Sequence, residues 1–224
     1  MKKIQFLAIL LLASLTNVCA QQRWHEDFSG KTLSANWNFL GKADPSKYVQ
    51  DDGRLRLYGD VYEPRDHMHN TFLGLPHHGG NPMQADTHLM LFESESGDEA
   101  GMCVYQSDSC YAQLCMSNYR GEYRLKLKFQ LKGHQWLMTD KQMTRRVEQM
   151  WLRVVFESGC YKFYYSTDGE KYTLADSIEK ILMSPVISGS SAEPLVGLYA
   201  FMGNSKYQTG YSYADFEYFD YQSK

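Results

Sequence analysis

Hydrophobic and polar residues alternate along most of this chain, most clearly from Trp151 to Tyr172. Leu152, Val154 and Phe156 fall on one face of an extended segment and Arg153 and Glu157 on the other, the period of two expected of a strand with one dry and one wet face. The chain reverses at Ser158-Gly159 and again at Asp168-Gly169, so successive strands form a meander. The same reading predicts strands at 24–28, 37–40, 48–50, 54–58, 71–75, 84–92, 101–106, 111–118, 123–131, 135–140, 149–157, 161–166, 172–174, 195–202 and 213–221. Asp52-Gly53, Asn118 to Gly121 and Lys132-Gly133 mark further turns, because they hold residues that tolerate positive φ. Only Asp176–Met183 reads as a short helix. So many strands in one unit predict an all-β fold, two antiparallel sheets stacked as a concanavalin A-like jelly-roll sandwich. Glu26-Asp-Phe28 and Ala214-Asp-Phe-Glu-Tyr218, both acidic and aromatic, are expected to lie side by side although they come from opposite ends of the chain.

The first 20 residues break the alternation. Lys2 and Lys3 precede an apolar run, Ile4 to Leu15, interrupted only by Gln5 and Ser14, and Val18-Cys19-Ala20 leads into Gln21. That is the pattern of a secretory signal peptide. The run is shorter than the ~20 apolar residues of a membrane-spanning helix, and no later stretch reaches that length. The expected organisation is a signal peptide at 1–20 and one sandwich at 21–224, exported to the periplasm or the extracellular space. A lipid anchor on Cys19 is the alternative, disfavoured because Val18 stands where a small residue belongs. Losing Lys2 and Lys3 moves the formal charge from -3 to -5. With Lys141, Arg145 and Arg146 as the only basic cluster, nucleic acid and anionic membrane are excluded as partners. Cys103, Cys110, Cys115 and Cys160 remain, all inside apolar strand patterns, and are read as buried thiols; if a bridge forms, Cys103 with Cys110 or Cys115 is the pairing to expect.

Candidate chemistry is sparse. Glu93-x-Glu95-x-x-Asp98 has the spacing by which alternate residues of one strand aim two carboxylates into a sugar cleft, but Gly97 interrupts the strand and the stretch is polar, whereas a general acid needs burial to raise its pKa. His67-x-His69, in a histidine-rich segment that also holds His77-His78-Gly79-Gly80, could offer two zinc ligands; nothing nearby completes a set of four. Asp27 and Asp215 are the candidate ligands of a structural calcium, a hard cation that would pin the first strand to the last. Aromatic residues make up 14% of the chain, with 17 tyrosines. Tyr105, Tyr111, Trp136, Tyr211 and Tyr213 are the candidates for sugar contact, since such rings offer a flat apolar face with a polar edge.

Seven segments together carry a family resemblance: Asp27-Phe-Ser-Gly30, Leu33 to Phe39, Gly53-Arg-Leu-Arg-Leu57, Gly97-Asp-Glu-Ala-Gly-Met-Cys-Val-Tyr-Gln106, Trp151 to Gly169, Val196-Gly-Leu-Tyr-Ala200 and Ala214-Asp-Phe216. In this order they resemble the C-terminal concanavalin A-like domain of family 43 glycoside hydrolases, mostly β-xylosidases and α-arabinofuranosidases. In that family the domain follows a five-bladed propeller holding the catalytic carboxylates; here the signal peptide runs directly into the sandwich. The segment 67–80 and the longer stretch 131–146 also depart from the family pattern. The resemblance implies an exported, non-catalytic module that binds plant-type glycans of the xylan or arabinoxylan class, with a glycosidase as partner. The alternatives are a glycoside hydrolase using Glu93 and Glu95, or a sandwich whose role is structural or protein interaction.

Overall fold

A computed structural model describes residues 22–61, 63, 66, 71–78, 80–94, 96–143, 149–203 and 212–224, with the side chains of 91–93 outside that description. One sheet runs, in spatial order, β13 (Thr173–Glu179), β12 (Cys160–Ser166), β11 (Met150–Glu157), β6 (Met83–Glu93), β15 (Tyr213–Ser223), β4 (Arg54–Tyr58) and β3 (Tyr48–Asp51), with β1 (Gln22–Glu26) also paired to β15. The other runs β10 (His134–Gln142), β9 (Glu122–Leu131), β8 (Cys110–Tyr119), β7 (Glu99–Ser107), β14 (Leu195–Phe201), β5 (Thr71–Pro76) and β2 (Asn38–Phe39). Strand pairing within both sheets is antiparallel, so the expected two-sheet sandwich is the fold.

The alternation explains which face goes where. Met150, Leu152, Val154 and Phe156 of β11, Tyr161, Phe163 and Tyr165 of β12 and Ala85 and Leu89 of β6 point into one core, which they share with Met102, Val104, Leu114, Leu127 and Leu198 of the opposite sheet. A one-residue slip of any of these strands would carry its whole apolar set into water, which is what holds the register. The β11–β12 hairpin turns on Ser158 (φ 50°) and Gly159 (φ 76°). Two consecutive residues at positive φ match the right-handed twist of the strands they join, so the turn reinforces the register.

The two ends of the chain meet as expected. β1 lies against β15 with Gln22 opposite Ser223 and Glu26 opposite Phe219. Beneath that pair Trp24 and Trp37 pack edge to face at 5.0 Å between ring centroids, and Phe219 lies 5.1 Å from Trp37. The expected helix at 176–183 is corrected. β13 continues to Glu179 because Ile178, opposite Tyr161, is a buried core residue, and only then come a 3-10 turn at Lys180–Met183 and a single turn of helix, α1 (Pro185–Ser188). The short apolar spacing there serves a strand edge and a crossover between sheets, not a helix.

Candidate functional site

Register arranges the polar residues of the eight-stranded sheet in rows across its outer face. Tyr164, Arg153, Asp86, Asp220 and His25 stand side by side on β12, β11, β6, β15 and β1. The next row is Lys162, Val155, Gln84, Gln222 and Arg23. Two surface depressions meet along this second row. One, about 400 Å³, is lined by Arg23, His25, Gln84, Asp86, Asp220 and Gln222 with Trp24 and Tyr221. The other, about 320 Å³, continues from Gln84 and Gln222 to Val155, Phe156, Glu157 and Lys224. Together they form a groove crossing four strands, roughly 14 Å at a spacing of about 4.8 Å per strand.

The groove's electrostatics are largely satisfied internally. Asp86 is only 8% exposed, opposite Asp220 in register. Two carboxylates so placed repel each other unless each has its own donor. Arg153 Nε and Gln84 Nε2 donate to Asp86, and His25 Nδ1 lies 2.6 Å from Asp220 Oδ1. At a bulge of β15 between Phe216 and Phe219, Glu217 accepts from His88 Nδ1 at 2.7 Å. Aromatic rings on this face are covered by cationic or imidazole groups. Arg56 lies 3.8 Å over Tyr213, Arg153 lies 3.8 Å over Tyr172, and His88 stacks on Trp151 at 4.0 Å with the planes 3° apart. The far side of Trp151 meets the turn at Gly169, whose missing side chain leaves the room the indole occupies. Hydrogen bonding, more than open ring faces, is what this groove offers a ligand.

The sequence-predicted site residues scatter. Tyr105 and Tyr111 lie on the outer face of the seven-stranded sheet, packed with Phe72, Cys103, Cys115 and Tyr199 in a satellite core. Tyr111 is fully buried there, and Tyr105 donates to Asp108 at 2.6 Å. Beside them Lys128 is buried between Glu63 and Glu99, at 2.8 Å from Glu63. Burial alone would push its ammonium down; the two carboxylates outweigh that and hold it up. Trp136 stands on the outermost strand β10, 46% exposed, stacked on Phe129 at 6.0 Å. Tyr213 is beneath Arg56, and Tyr211 lies outside the described residues, as do Glu95, His67, His69 and the side chain of Glu93. Asp98, third of the acidic spacing, is completely buried, accepting from the Ser212 hydroxyl and from Gly203 N–H at 3.1 Å. His77 is a buried structural residue: its Nδ1 lies 2.9 Å from the Tyr161 hydroxyl and its Nε2 lies 2.7 Å from the Asn81 carbonyl. The four cysteines among the described residues are free thiols; Cys103, Cys110 and Cys115 are buried and Cys160 is partly exposed.

Asp27 and Asp215 do not share a ligand set. Register places Asp27 just beyond the Glu26–Phe219 pair, about three residues or 10 Å along β15 from Asp215, and the chain leaves the sheet at Phe28 (φ 53°). Asp27 is exposed and accepts Ser29 N–H at 3.0 Å, which lowers its pKa. Asp215 is 0% exposed and both its oxygens are taken by Arg56, from Nε and Nη2 at 2.7 Å each, with Arg54 at 3.6 Å. A dication there would have to displace a bidentate guanidinium, and among the described residues no group of three or more His, Cys, Asp or Glu is poised to hold a metal. The residues present do not fit calcium.

The groove residues Arg23, Gln84, Asp86, Asp220 and Gln222 were not singled out in the sequence. Their signal was the polar half of the alternation, Gln84-x-Asp86-x-His88 and Asp220-x-Gln222, which shows a wet face without saying that these strands are neighbours.

Fold and face together define a concanavalin A-type sandwich with a polar cross-strand groove. Residues 25–222 match the family of β-xylosidase C-terminal concanavalin A-like domains, and the chain belongs to that family. Among solved structures, the GH43 protein BlXynB from Bacillus licheniformis superposes with a TM-score of 0.79 at 23% identity, and a xylan β-1,4-xylosidase from Bacillus halodurans C-125 with 0.78 at 20%. In each case 89% of this chain covers 39% of the enzyme, so the chain spans about two fifths of their length. A functionally unknown protein from Saccharomyces cerevisiae is similar over 84% of this chain and 95% of its own, with a TM-score of 0.61 and 17% identity. No curated protein matches the chain in sequence.

Proposed function

We propose that this chain is an exported, non-catalytic accessory module that binds a short stretch of plant-type glycan, of the xylan or arabinoxylan class, in the cross-strand groove, alongside a partner glycosidase. The observation that carries this reading is the groove itself. Paired amides from Gln84 and Gln222 sit at its middle, flanked by held carboxylates, the planar polar groups that hydroxyl-rich ligands pair with. Membership of a glycosidase-associated family supports the ligand class, and the amino-terminal pattern of Lys2 to Ala20 supports export. Asp98, third of the acidic spacing, is locked into a buried hydrogen-bond cluster and does not face a sugar cleft, while Glu93 and Glu95 lie outside the described side chains, so the non-catalytic part is decided by the hydrolysis assay. Titration of the protein with xylo-oligosaccharides, with hydrolysis followed in parallel, tests the reading. Binding without turnover is expected, with Gln84→Ala weakening affinity about tenfold, the worth of one well-placed hydrogen bond. Turnover, or binding that Gln84→Ala leaves unchanged, overturns it. A protein-interaction role is favoured by a separate observation, the exposed run Trp136, Leu137 and Met138 on edge strand β10, and is what remains if no glycan binds.

A further inference from the structure

The donors and acceptors left open in the groove narrow its ligand, an inference that rests on the glycan-binding reading above. The side-chain carboxylates along it are already engaged: Asp86 by Arg153 and by Gln84 at 2.6 Å, Asp220 by His25 at 2.6 Å, and Glu157 by Lys162 at 2.8 Å. Asp220 and Glu157 each keep a second oxygen toward solvent, but every one of these carboxylates has a cation or amide of its own, whereas the guanidinium of Arg23 has none. Arg23, exposed on β1, stands directly opposite Gln222 of β15, and neither side chain has a partner among the described residues. An arginine carries five N–H donors in a planar fork and no acceptor, a shape that a carboxylate fills with two parallel hydrogen bonds. A neutral hydroxyl offers that fork little more than water does.

We infer that the groove selects a glycan bearing a carboxylate, a uronic acid unit, with the carboxylate on Arg23 and the Gln222 amide beside it. The whole chain has a formal charge of -3, so attraction to an acidic ligand is local to Arg23 and not a property of the molecular surface. Asp86 and Asp220 line the same depression but each has a donor of its own, so the attraction reaches only about 8 Å from the guanidinium, the screening length at physiological salt, and a densely charged polyuronate gains nothing beyond it. The ligand is therefore a largely neutral oligosaccharide with a single acidic branch.

Three oligosaccharides separate the possibilities: a xylo-oligosaccharide carrying one glucuronic acid branch, the same compound with its carboxyl group reduced to the alcohol, and the unbranched chain. Calorimetric titration is expected to show the acidic compound bound about tenfold more tightly than its reduced form, with the difference narrowing as salt is added. Arg23→Gln should erase the preference for the acidic over the reduced compound, and because Arg23 is exposed the variant should melt with the wild type. Gln222→Ala should weaken both branched ligands. Equal affinity for the acidic and reduced compounds, or a preference that survives Arg23→Gln, overturns the inference while leaving the glycan-binding reading standing. Failure of all three compounds to bind overturns both.

Discussion

A single side chain shows how burial turns an ordinary residue into a determinant of stability. His77 was met in the sequence as part of a histidine-rich stretch with metal-binding potential, yet it sits between Phe156 and Tyr161, 1% exposed, with both ring nitrogens engaged. Burial lowers its pKa, and nearby Lys180 and His78 press the same way, while the Asn81 hydrogen bond and Glu193 oppose them. The unfolded chain protonates this histidine near pH 6.5, whereas the folded chain keeps it neutral to lower pH. The unfolded state therefore binds more protons in that window, and stability falls as pH drops below about 6.5 until the folded pKa is passed. Urea denaturation between about pH 7 and about pH 5 should show wild type losing up to about 1.4 kcal/mol per pH unit more than His77→Gln across the window. Parallel pH slopes for the two proteins would remove His77 from this role.

At the scale of elements, strands β5, β7, β8 and β14 carry a second, smaller core on the outward face of their sheet, and the charges beside it depend on the cross-strand register. Lys128 stands opposite Gln113, and Glu99 lies two strands away on β7, close enough for the lysine to bridge it to Glu63. An ion triad of this kind owes its stability to completeness: a buried charge without its partner costs far more than the pair contributes. Lys128→Met leaves two buried carboxylates facing each other and is expected to cost at least about 3 kcal/mol, measured by thermal or chemical unfolding. The triple replacement by apolar residues of similar volume should recover most of that loss. A double alanine change at exposed Lys132 and Lys171, by comparison, should move stability by less than about 0.5 kcal/mol.

At the scale of the whole molecule, closure is made by pairing β1 and β4 to β15, with the Asp215–Arg56 pair bridging β15 to β4. Chelation is therefore expected to leave the melting temperature of the protein unchanged, whereas Asp215→Asn should lower stability by about 3 kcal/mol by leaving Arg56 without its bidentate acceptor. A chelator-dependent melting temperature would restore the calcium expected from the sequence. Much of the architecture was legible beforehand: the strands, the turns at Ser158-Gly159 and Asp52-Gly53, and the meeting of the chain's two ends all follow from local alternation and from residues that tolerate positive φ. Alternation is a property of neighbours along the chain, so the sequence by itself determined a two-sheet sandwich and which half of each strand is wet. It could not say which wet halves would adjoin. Tyr105 and Tyr111 became core because β5 and β14 bring Phe72 and Tyr199 into one cluster with them, Asp215 became an arginine's partner because β4 lies beside β15, and Arg23, Gln222, Gln84 and Asp86 became a groove because β1, β15 and β6, remote along the chain, are adjacent in one sheet. Those juxtapositions were decided only by tertiary structure, since they arise from which strands minimise exposed apolar area together and not from any residue's own preference.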